Sequence, residues 1–540
     1  MTTEFNLANK SIATFITNLA NFILVIFCLA SCSGDEPRRS TTNASTGEKT
    51  SRAENPDLLI YGATPGGIAA ATAASRHGSK VTIIEPSKRV GGIVAAGLTA
   101  SDVCIHKLIG GISREYFERV GEQYGEKISW RHEPHVAEEE FEKLILGEKI
   151  SLFLNTKLDS AEIQNSKVVS VKTKNGRRFS ASNFIDASYE GDLMALAKVS
   201  FSIGREARSK YNENFAGRSP YDDKNQFPKE IDPYGSEGNL LPEISSGSLA
   251  PEGSGDNMTM AYNFRPCFSK DPENQVKFKK PTNYDPGRYE LLARYVELER
   301  HTIKLSELLL FLTTVQNKAD INSIGPFSTD MLNNSSSWAE SDWNQREEIF
   351  QRHKLYTQGL LYFLSTSPRI PERIQKDLNK WGLCKDEFVE TDNWPHRLYV
   401  RSGRRMIGEY VLTEHDLLKN NFKPDSIGWG TCRIELHHTQ RVLDNKRVIN
   451  EGRVGYRNKP YQIPYRSITP KKEEITNLLV PVSLSASNVA YSSVRMEPVF
   501  MILGHAAGVA AHLAQRDKVP VQDINLAELQ RILLDEKSVL

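Results

Sequence analysis

Residue types suited to proton transfer and anion binding stand close together in the C-terminal half of the chain. The stretch 433–438 reads R-I-E-L-H-H. Histidine titrates nearest neutral pH, so we predict that His437 is a catalytic acid or base and that Glu435 orients it. Arginine holds carboxylates and anionic oxygens through paired hydrogen bonds, so Arg401 or Arg405 is predicted to bind a substrate. A structural ion pair for each arginine and an exposed surface position for the histidine are the alternatives.

A glycine-rich turn near residue 62 has the spacing of a phosphate-binding loop. Gly62, Thr64 and Gly67 occupy the three fixed positions of the frame G-x-G-x-x-G, with threonine in place of the second glycine. The second glycine normally lets the backbone approach a pyrophosphate, so Thr64 requires a different path. We predict that the Thr64 hydroxyl donates to a phosphate, with Pro65 and Gly66 completing the binding turn.

The elements on either side of this turn are those that position a dinucleotide. Residues 57–61 form an apolar run typical of a buried parallel strand, and the alanine-rich stretch 68–77 predicts a helix that stops at Gly78. A second strand at 81–85 ends in Glu85. This acid follows the last glycine of the turn by 18 residues (85 − 67), near the roughly 20 expected for a ribose-binding acid. Strand, turn, helix, strand and acid together predict a dinucleotide site.

A second glycine patch lies downstream of Glu85. Gly91, Gly92 and Gly97 complete the arrangement I-E-P-x-x-x-x-G-G-x-x-x-x-G-L. This arrangement resembles the glutathione-reductase-like and fumarate-reductase-like flavoproteins, in which the loop runs along the cofactor toward the isoalloxazine ring. The resemblance implies FAD as cofactor, and it implies an α/β fold with a Rossmann-like FAD-binding domain and a large inserted substrate or cap domain.

Further blocks resemble a bacterial FAD-dependent oxidoreductase family whose members are often secreted and carry a loose xanthan-lyase-like label. The blocks that carry this resemblance are residues 110–115, 133–138, 399–406 and 479–487. The chain is also distantly similar to the flavin subunit of heterodisulfide reductase. It lacks the cysteine clusters that bind iron-sulfur centres there, so no metal centre is carried over.

Two other stretches are predicted to contact the cofactor. Asp186 ends a predicted strand that follows the alternating run 168–171 and a hairpin turn at 175–176, and we expect it beside the adenosine half. Arg495 and Glu497 precede an apolar helix over 499–511, with proline at 498 in its first turn. The start of such a helix offers free N–H groups to the flavin pyrimidine; a plain buried helix cap is the alternative.

Composition shifts divide the chain into predicted domains. Residues 56–200 and 426–540 are predicted to form the two parts of the FAD-binding domain. The intervening residues, 201–425, are richer in proline, asparagine and aromatics and are predicted to be the substrate or cap region. Within it, helices are predicted over 289–314 and 343–364.

The N-terminus resembles a bacterial lipoprotein signal. An apolar run over 22–27 ends in the lipobox-like L-A-S-C at Cys32, so residues 1–31 are predicted to be removed and Cys32 to carry a lipid. Residues 32–55 are predicted to be a flexible tether. An uncleaved membrane helix is the alternative. Lipidation predicts a location in the bacterial cell envelope, periplasmic or at the cell surface.

Bulk composition excludes several classes of protein. The 68 basic and 67 acidic residues give no support to nucleic acid as a partner, and 39% hydrophobic residues match a globular body. None of the six cysteines forms a C-x-x-C pair, so no metal site is predicted. The four cysteines beyond the leader are predicted to be free, mostly buried thiols. A redox or flavin-linking role for Cys104 is an alternative.

Together these features predict an FAD-dependent oxidoreductase. It would act on a small or carbohydrate-like molecule by hydride transfer to or from flavin N5, with a quinone, a redox carrier or oxygen as electron partner. The alternatives are a polysaccharide lyase and a non-catalytic carbohydrate-binding lipoprotein.

Overall fold

The structure, a computed structural model, describes residues 55–419 and 421–540. The predicted leader with Cys28, the predicted lipidation site Cys32 and nearly all of the predicted tether lie outside the described residues. The strands are β1 Leu58–Tyr61, β2 Val81–Ile84, β3 Ser151–Phe153, β4 Leu158–Gln164, β5 Lys167–Thr173, β6 Arg178–Phe179, β7 Asn183–Asp186, β8 Phe201–Ser202, β9 Cys267–Ser269, β10 Gln275–Val276, β11 Leu310–Thr313, β12 Lys318–Asn322, β13 Gly382–Cys384, β14 Arg405–Met406, β15 Ser426–Gly430, β16 Ile434–Leu436, β17 Gln440–Asp444, β18 Arg447–Glu451, β19 Val454–Tyr456, β20 Tyr461–Pro464 and β21 Leu478–Leu479. The α-helices are α1 Pro65–Arg76, α2 Gly111–Gln123, α3 Pro134–Gly147, α4 Asp192–Leu196, α5 Arg208–Tyr211, α6 Glu290–Leu298, α7 Trp343–Thr366, α8 Glu372–Leu378, α9 Glu414–Lys419, α10 Asn488–Val494, α11 Glu497–Asp517 and α12 Leu526–Asp535.

A five-stranded parallel sheet carries the predicted dinucleotide turn. Its strand order is β21-β7-β1-β2-β3, and every neighbouring pair is parallel. All residues of β1, β2 and β7 are buried, as expected for strands covered on both faces. The predicted α/β fold with a Rossmann-like sheet is confirmed, including the strands over 57–61 and 81–85 and the helix between them.

Helices α1 and α11 pack backbone against backbone beside this sheet. A Cβ placed on Gly504 would lie 2.0 Å from the carbonyl oxygen of Gly66, and one on Gly508 would lie 2.2 Å from that of Ala70. Only glycine permits this approach. Among the described residues α11 alone is long and apolar enough to cross a membrane, and 94% of its apolar window is buried within the protein. It is therefore a core helix, and it begins at Glu497 with proline in its first turn as predicted.

The region predicted as the cap contains an antiparallel sheet in the order β10-β13-β9-β12-β11. The predicted helix over 343–364 is confirmed as α7, with Asp342 capping its first turn. The predicted helix over 289–314 is wrong beyond Leu298, because Leu310–Thr313 pairs with β12 as an antiparallel strand. Ladder hydrogen bonds override a helix-like spacing of apolar residues there. Residues 55–540 form one compact unit, and the predicted divisions at 200 and 425 stay predictions.

A disulfide joins Cys104 to Cys432 across 328 residues of sequence. The prediction of free thiols is wrong for this pair and confirmed for Cys267 and Cys384, which are free and buried. Spacing alone does not determine which cysteines pair. The bond ties the loop that follows the second glycine patch to the segment that leads into β16.

Removing this crosslink should destabilise the protein by about 2–5 kcal/mol, because the unfolded chain regains the freedom that the crosslink removes. We expect C104A/C432A to unfold at lower temperature than the wild type. Reductant should lower the unfolding midpoint of the wild type but not that of C104A/C432A. The matched control is C267A/C384A, which removes two thiols but no bond and should keep the sensitivity to reductant. Equal midpoints for the wild type and C104A/C432A, with no effect of reductant on either, would contradict a crosslink.

Candidate functional site

The glycine turn lies at the carboxyl end of β1. Gly62 has φ +103°, and a Cβ there would lie 2.9 Å from the backbone of Ala187. Thr64 caps α1: its Oγ1 accepts from the Gly67 N–H at 3.2 Å and donates to the Ala187 carbonyl at 2.8 Å. The single hydroxyl proton is therefore used within the protein, and the predicted donation from Thr64 to a phosphate is not what the structure shows. A glycine at this position would let the backbone approach the pyrophosphate closely. Threonine instead caps the helix with its side chain.

Glu85 is held at the edge of the turn, where a ribose-binding acid is expected. One carboxylate oxygen accepts from the Ala63 N–H at 2.8 Å, and the other accepts from the Ser87 N–H at 2.9 Å and from Arg397 Nη2 at 2.7 Å. The side chain is buried. Arg397 comes from the far side of the cap region, 312 residues away in sequence. No local motif in the sequence indicates this partner.

The second glycine patch lies against the first turn, as the resemblance implied. Gly91 and Gly92 have φ +84° and +55°, and the Gly91 N–H donates to the Ala63 carbonyl at 2.8 Å. A Cβ on Gly92 would lie 2.4 Å from the Tyr189 hydroxyl and 2.9 Å from the Pro65 ring. The two glycine segments therefore form one surface at the carboxyl edge of the sheet.

Asp186 ends β7 at the same edge of the sheet, but its carboxylate organises a loop. It accepts from the N–H and hydroxyl of Ser188 at 3.0 and 2.6 Å and from the Met194 N–H at 2.8 Å. Burial raises the pKa of Asp186 to about 6, against these hydrogen bonds, which lower it. The described contacts of Asp186 are thus internal, and its role is to shape the turn between β7 and α4.

Polar groups with unused hydrogen-bonding capacity surround the start of α11. Glu497 is buried, one of its carboxylate oxygens has no partner among the described residues, and burial raises its pKa to about 8. Arg495 donates to the Tyr399 hydroxyl at 3.1 Å and to the Glu435 carbonyl at 3.3 Å, while its Nε has no described partner. The helix start therefore presents a neutral acid and a partly free guanidinium.

Arg401 and His437 meet through a residue that the sequence did not indicate, Asp330. Arg401 Nη1 lies 2.9 Å from one oxygen of Asp330, and His437 Nδ1 lies 3.5 Å from the other. Burial opposes ionisation of Asp330, but Arg401 and His437 outweigh it and lower its pKa. Burial and the Arg401 charge lower the pKa of His437 to about 4. The imidazole is therefore neutral near pH 7 and lines a small cavity beside a fixed carboxylate.

Two predicted site residues have other roles in the structure. The Glu435 carboxylate pairs with Arg433 at 2.6 Å, and the acid nearest to His437 Nδ1 is Asp330. Arg405 is fully buried and forms an ion pair with Glu206 at 2.6 Å, which is a structural role. Sequence reasoning missed Asp330 because it stands in an irregular segment with no motif around it.

Glu133, His135 and Glu387 are near enough to one another to suggest a metal site. Lys318 Nζ lies 2.6 Å from Glu133 and 2.8 Å from Glu387. The ammonium group contacts both carboxylates, and His135 Nδ1 lies 2.8 Å from Glu387, so these side chains form an ion-pair network with one another.

The parallel sheet, the glycine surface and the buried acid after β2 define a dinucleotide-binding α/β protein of the flavoprotein class. The chain matches the FAD dependent oxidoreductase family over residues 57–533 and belongs to that family. It is therefore an FAD-dependent oxidoreductase. No curated protein matches the chain.

Several solved structures are similar to parts of the chain. A geranylgeranyl bacteriochlorophyll reductase-like protein from Thermoplasma acidophilum is 12% identical over 90% of this chain and 85% of that chain, with a TM-score of 0.38. OxyS anhydrotetracycline hydroxylase from Streptomyces rimosus is 15% identical over 29% and 36%, with a TM-score of 0.24. A flavoprotein/dehydrogenase from Cytophaga hutchinsonii is 16% identical over 28% and 43%, with a TM-score of 0.22. The chain thus spans less than half the length of the last two. The TM-scores are low, so the fold assignment rests on the sheet topology and the family match.

The residues at the carboxyl edge of the sheet fit FAD. Gly62 and Gly92 keep side chains out of the turn surface, and Glu85 is fixed where a ribose hydroxyl is expected. The unpartnered atoms of Arg495 and Glu497 at the start of α11 suit the polar edge of the flavin ring. These five residues, with Gly66 and Gly67 at the start of α1, would hold the cofactor.

Replacing Glu85 with glutamine should weaken FAD binding. The variant keeps the shape of the side chain but loses charge-assisted hydrogen bonds worth about 1.5–3 kcal/mol each, so we expect the Kd for FAD to rise at least about tenfold. Titration of the FAD-free protein with FAD measures the change. Glu148→Gln is the control, since Glu148 pairs with Arg76 at the opposite end of α1. A Kd unchanged by Glu85→Gln would show that the ribose contact is made elsewhere.

Proposed function

We propose that the protein oxidises a hydroxyl group of a small or carbohydrate-like substrate, with His437 as the proton acceptor. Bound FAD supplies the hydride-accepting chemistry. The observation that carries the proposal is the Arg401–Asp330–His437 cluster near the start of α11.

His437 is suited to act as a base. Its pKa of about 4 keeps the ring neutral near pH 7, so one ring nitrogen is free to accept a proton. Asp330 stands at Nδ1, which favours a proton on that nitrogen and leaves Nε2 as the acceptor. Once the ring is protonated, the adjacent carboxylate stabilises the imidazolium.

The arginines are suited to hold the oxygen atoms of a substrate. Nε and Nη2 of the buried Arg401 have no partner among the described residues, nor has Nε of Arg495. Buried donors without partners are costly, so a bound oxygen that accepts from them gains binding energy. The ring of Tyr399 lies 5.0 Å from the Arg401 guanidinium and fixes its plane.

For cell location we propose lipidation at Cys32 and residence in the bacterial cell envelope. The Cys104–Cys432 disulfide supports this proposal, because such bonds persist mainly in oxidising compartments. Nicotinamide pools are cytoplasmic, so a quinone, a redox carrier or oxygen is the proposed electron acceptor.

The proposal is tested with FAD-loaded protein by screening sugars, polyols and carboxylates for loss of the visible absorbance of the oxidised flavin under anaerobic conditions. With a substrate found in this way, His437→Gln should lower the rate of flavin reduction by about 10²–10⁴-fold. A polysaccharide lyase would instead release an unsaturated product while the flavin stayed oxidised.

The pH dependence supplies a separate check on His437. A base must be deprotonated, so the wild-type rate should be level above about pH 5 and fall as the pH drops through about 4, tenfold per unit below that pKa. The residual activity of His437→Gln should lack this acid limb. The exposed His301 is the control, and His301→Gln should behave as wild type. An unchanged acid limb in His437→Gln would show that another group titrates.

A further inference from the structure

A cavity of about 750 Å³ opens beside the disulfide. Its wall includes Cys104 and Cys432 and residues 455–460, which run from β19 into the following loop. Met496, which immediately precedes α11, also lines it. The volume is in the range of small-molecule sites. Glu435 lines both this cavity and the smaller one that reaches Asp330 and His437. The larger cavity is therefore a neighbour of the one that holds the proposed catalytic cluster.

The wall of this cavity is rich in positive charge. Its cations are Lys224, Arg433, Arg453, Arg457 and Lys459, against the acids Asp102 and Glu435. Two of the five are neutralised by neighbours, since Arg433 pairs with Glu435 at 2.6 Å and Arg453 pairs with Asp222.

Three cations remain for a ligand. Lys224, Arg457 and Lys459 are exposed and form no ion pair with any described residue. They come from two separate segments, one before β9 and one after β19, and face the same cavity. The chain as a whole has a net charge of only +1, so this concentration of unpaired cations is local. A cavity lined by one sign of charge attracts ligands of the opposite sign.

The surroundings of Asp102, which lines this cavity, have the same preference. Its carboxylate lies among the charges of Arg265, Arg495 and Arg401. Arg265 forms an ion pair with Asp320 at 2.6 Å, whereas the buried Arg401 and Arg495 keep N–H groups that have no partner among the described residues. Two guanidinium groups with unused donors thus lie near Asp102 on the cavity wall.

Building on the proposed function, we propose that the substrate is a small hydroxylated anion, a sugar acid or sugar phosphate. Its anionic group binds to Lys224, Arg457 and Lys459 while its reacting hydroxyl reaches His437. Neutral sugars lack the group that these three cations recognise. The carboxylate and phosphate forms share this chemistry, and the ligands chosen below distinguish them.

Binding is measured by calorimetry on the full-length, FAD-loaded protein, independently of turnover. D-glucuronate and D-glucose 6-phosphate are compared with D-glucose, and D-galacturonate with D-galactose. We expect at least one of these anions to bind ten times or more tighter than its neutral parent. The preference should shrink as salt shortens the screening length. Whichever anionic class binds more tightly, carboxylate or phosphate, identifies the form of the substrate.

The variant K224Q/R457Q/K459Q should bind that anion at least tenfold more weakly, with FAD content and thermal midpoint unchanged. The matched control K279Q/K280Q/K354Q removes three cations from a groove lined by residues 276–282 and α7, and it should bind as wild type. Equal affinity for anions and neutral parents, no anion binding at all, or an equal loss in the control would overturn the proposal. Failure of the proposed function would give a different result. No tested hydroxyl compound would then reduce the bound FAD, even where the anion binds.

Discussion

The contact between α1 and α11 is the constraint on which the site depends. Gly504 lies against the carbonyl of Gly66 with no room for a side chain, and Gly508 does the same against Ala70. This packing brings the start of α11, more than 400 residues later in the chain, to the glycine turn after β1. The groups predicted for the pyrophosphate and for the flavin ring thereby become neighbours. A side chain at either glycine would separate the two helices and the two halves of the cofactor site.

Burial then sets the protonation of the groups near the proposed reaction centre. Burial of Glu497 outweighs a hydrogen bond with Tyr189 and the charge of Arg397, so its pKa rises to about 8. Asp330 is equally enclosed, but Arg401 and His437 keep it ionised. Burial also disfavours the charged form of His437, and its pKa falls to about 4. Burial and neighbouring charges therefore give a neutral acid, a carboxylate and a neutral base at one pH, which is the division of roles that acid–base chemistry requires.

Features with local causes could be predicted from the sequence. The turn at Gly62, the acid Glu85 and the start of α11 at Glu497 each follow from residues within one or two elements. Asp330, Arg397 and the Cys104–Cys432 pair could not be predicted, because each acts across a long separation in sequence and has no motif. The same cause explains the strand at 310–313, whose partner strand decides its conformation. His437 and Arg401 were predicted from residue type, and only the fold shows that Asp330 joins them.

We propose that the flavin ring lies between the start of α11 and the Arg401–Asp330–His437 cluster. A crystal structure of the full-length protein with FAD tests this placement directly. We expect the pyrophosphate at the turn from Gly62 to Gly67, a ribose hydroxyl on Glu85, and the ring in contact with Glu497 with one face toward His437. A ring bound elsewhere, or shielded from His437 by other protein atoms, would contradict the account.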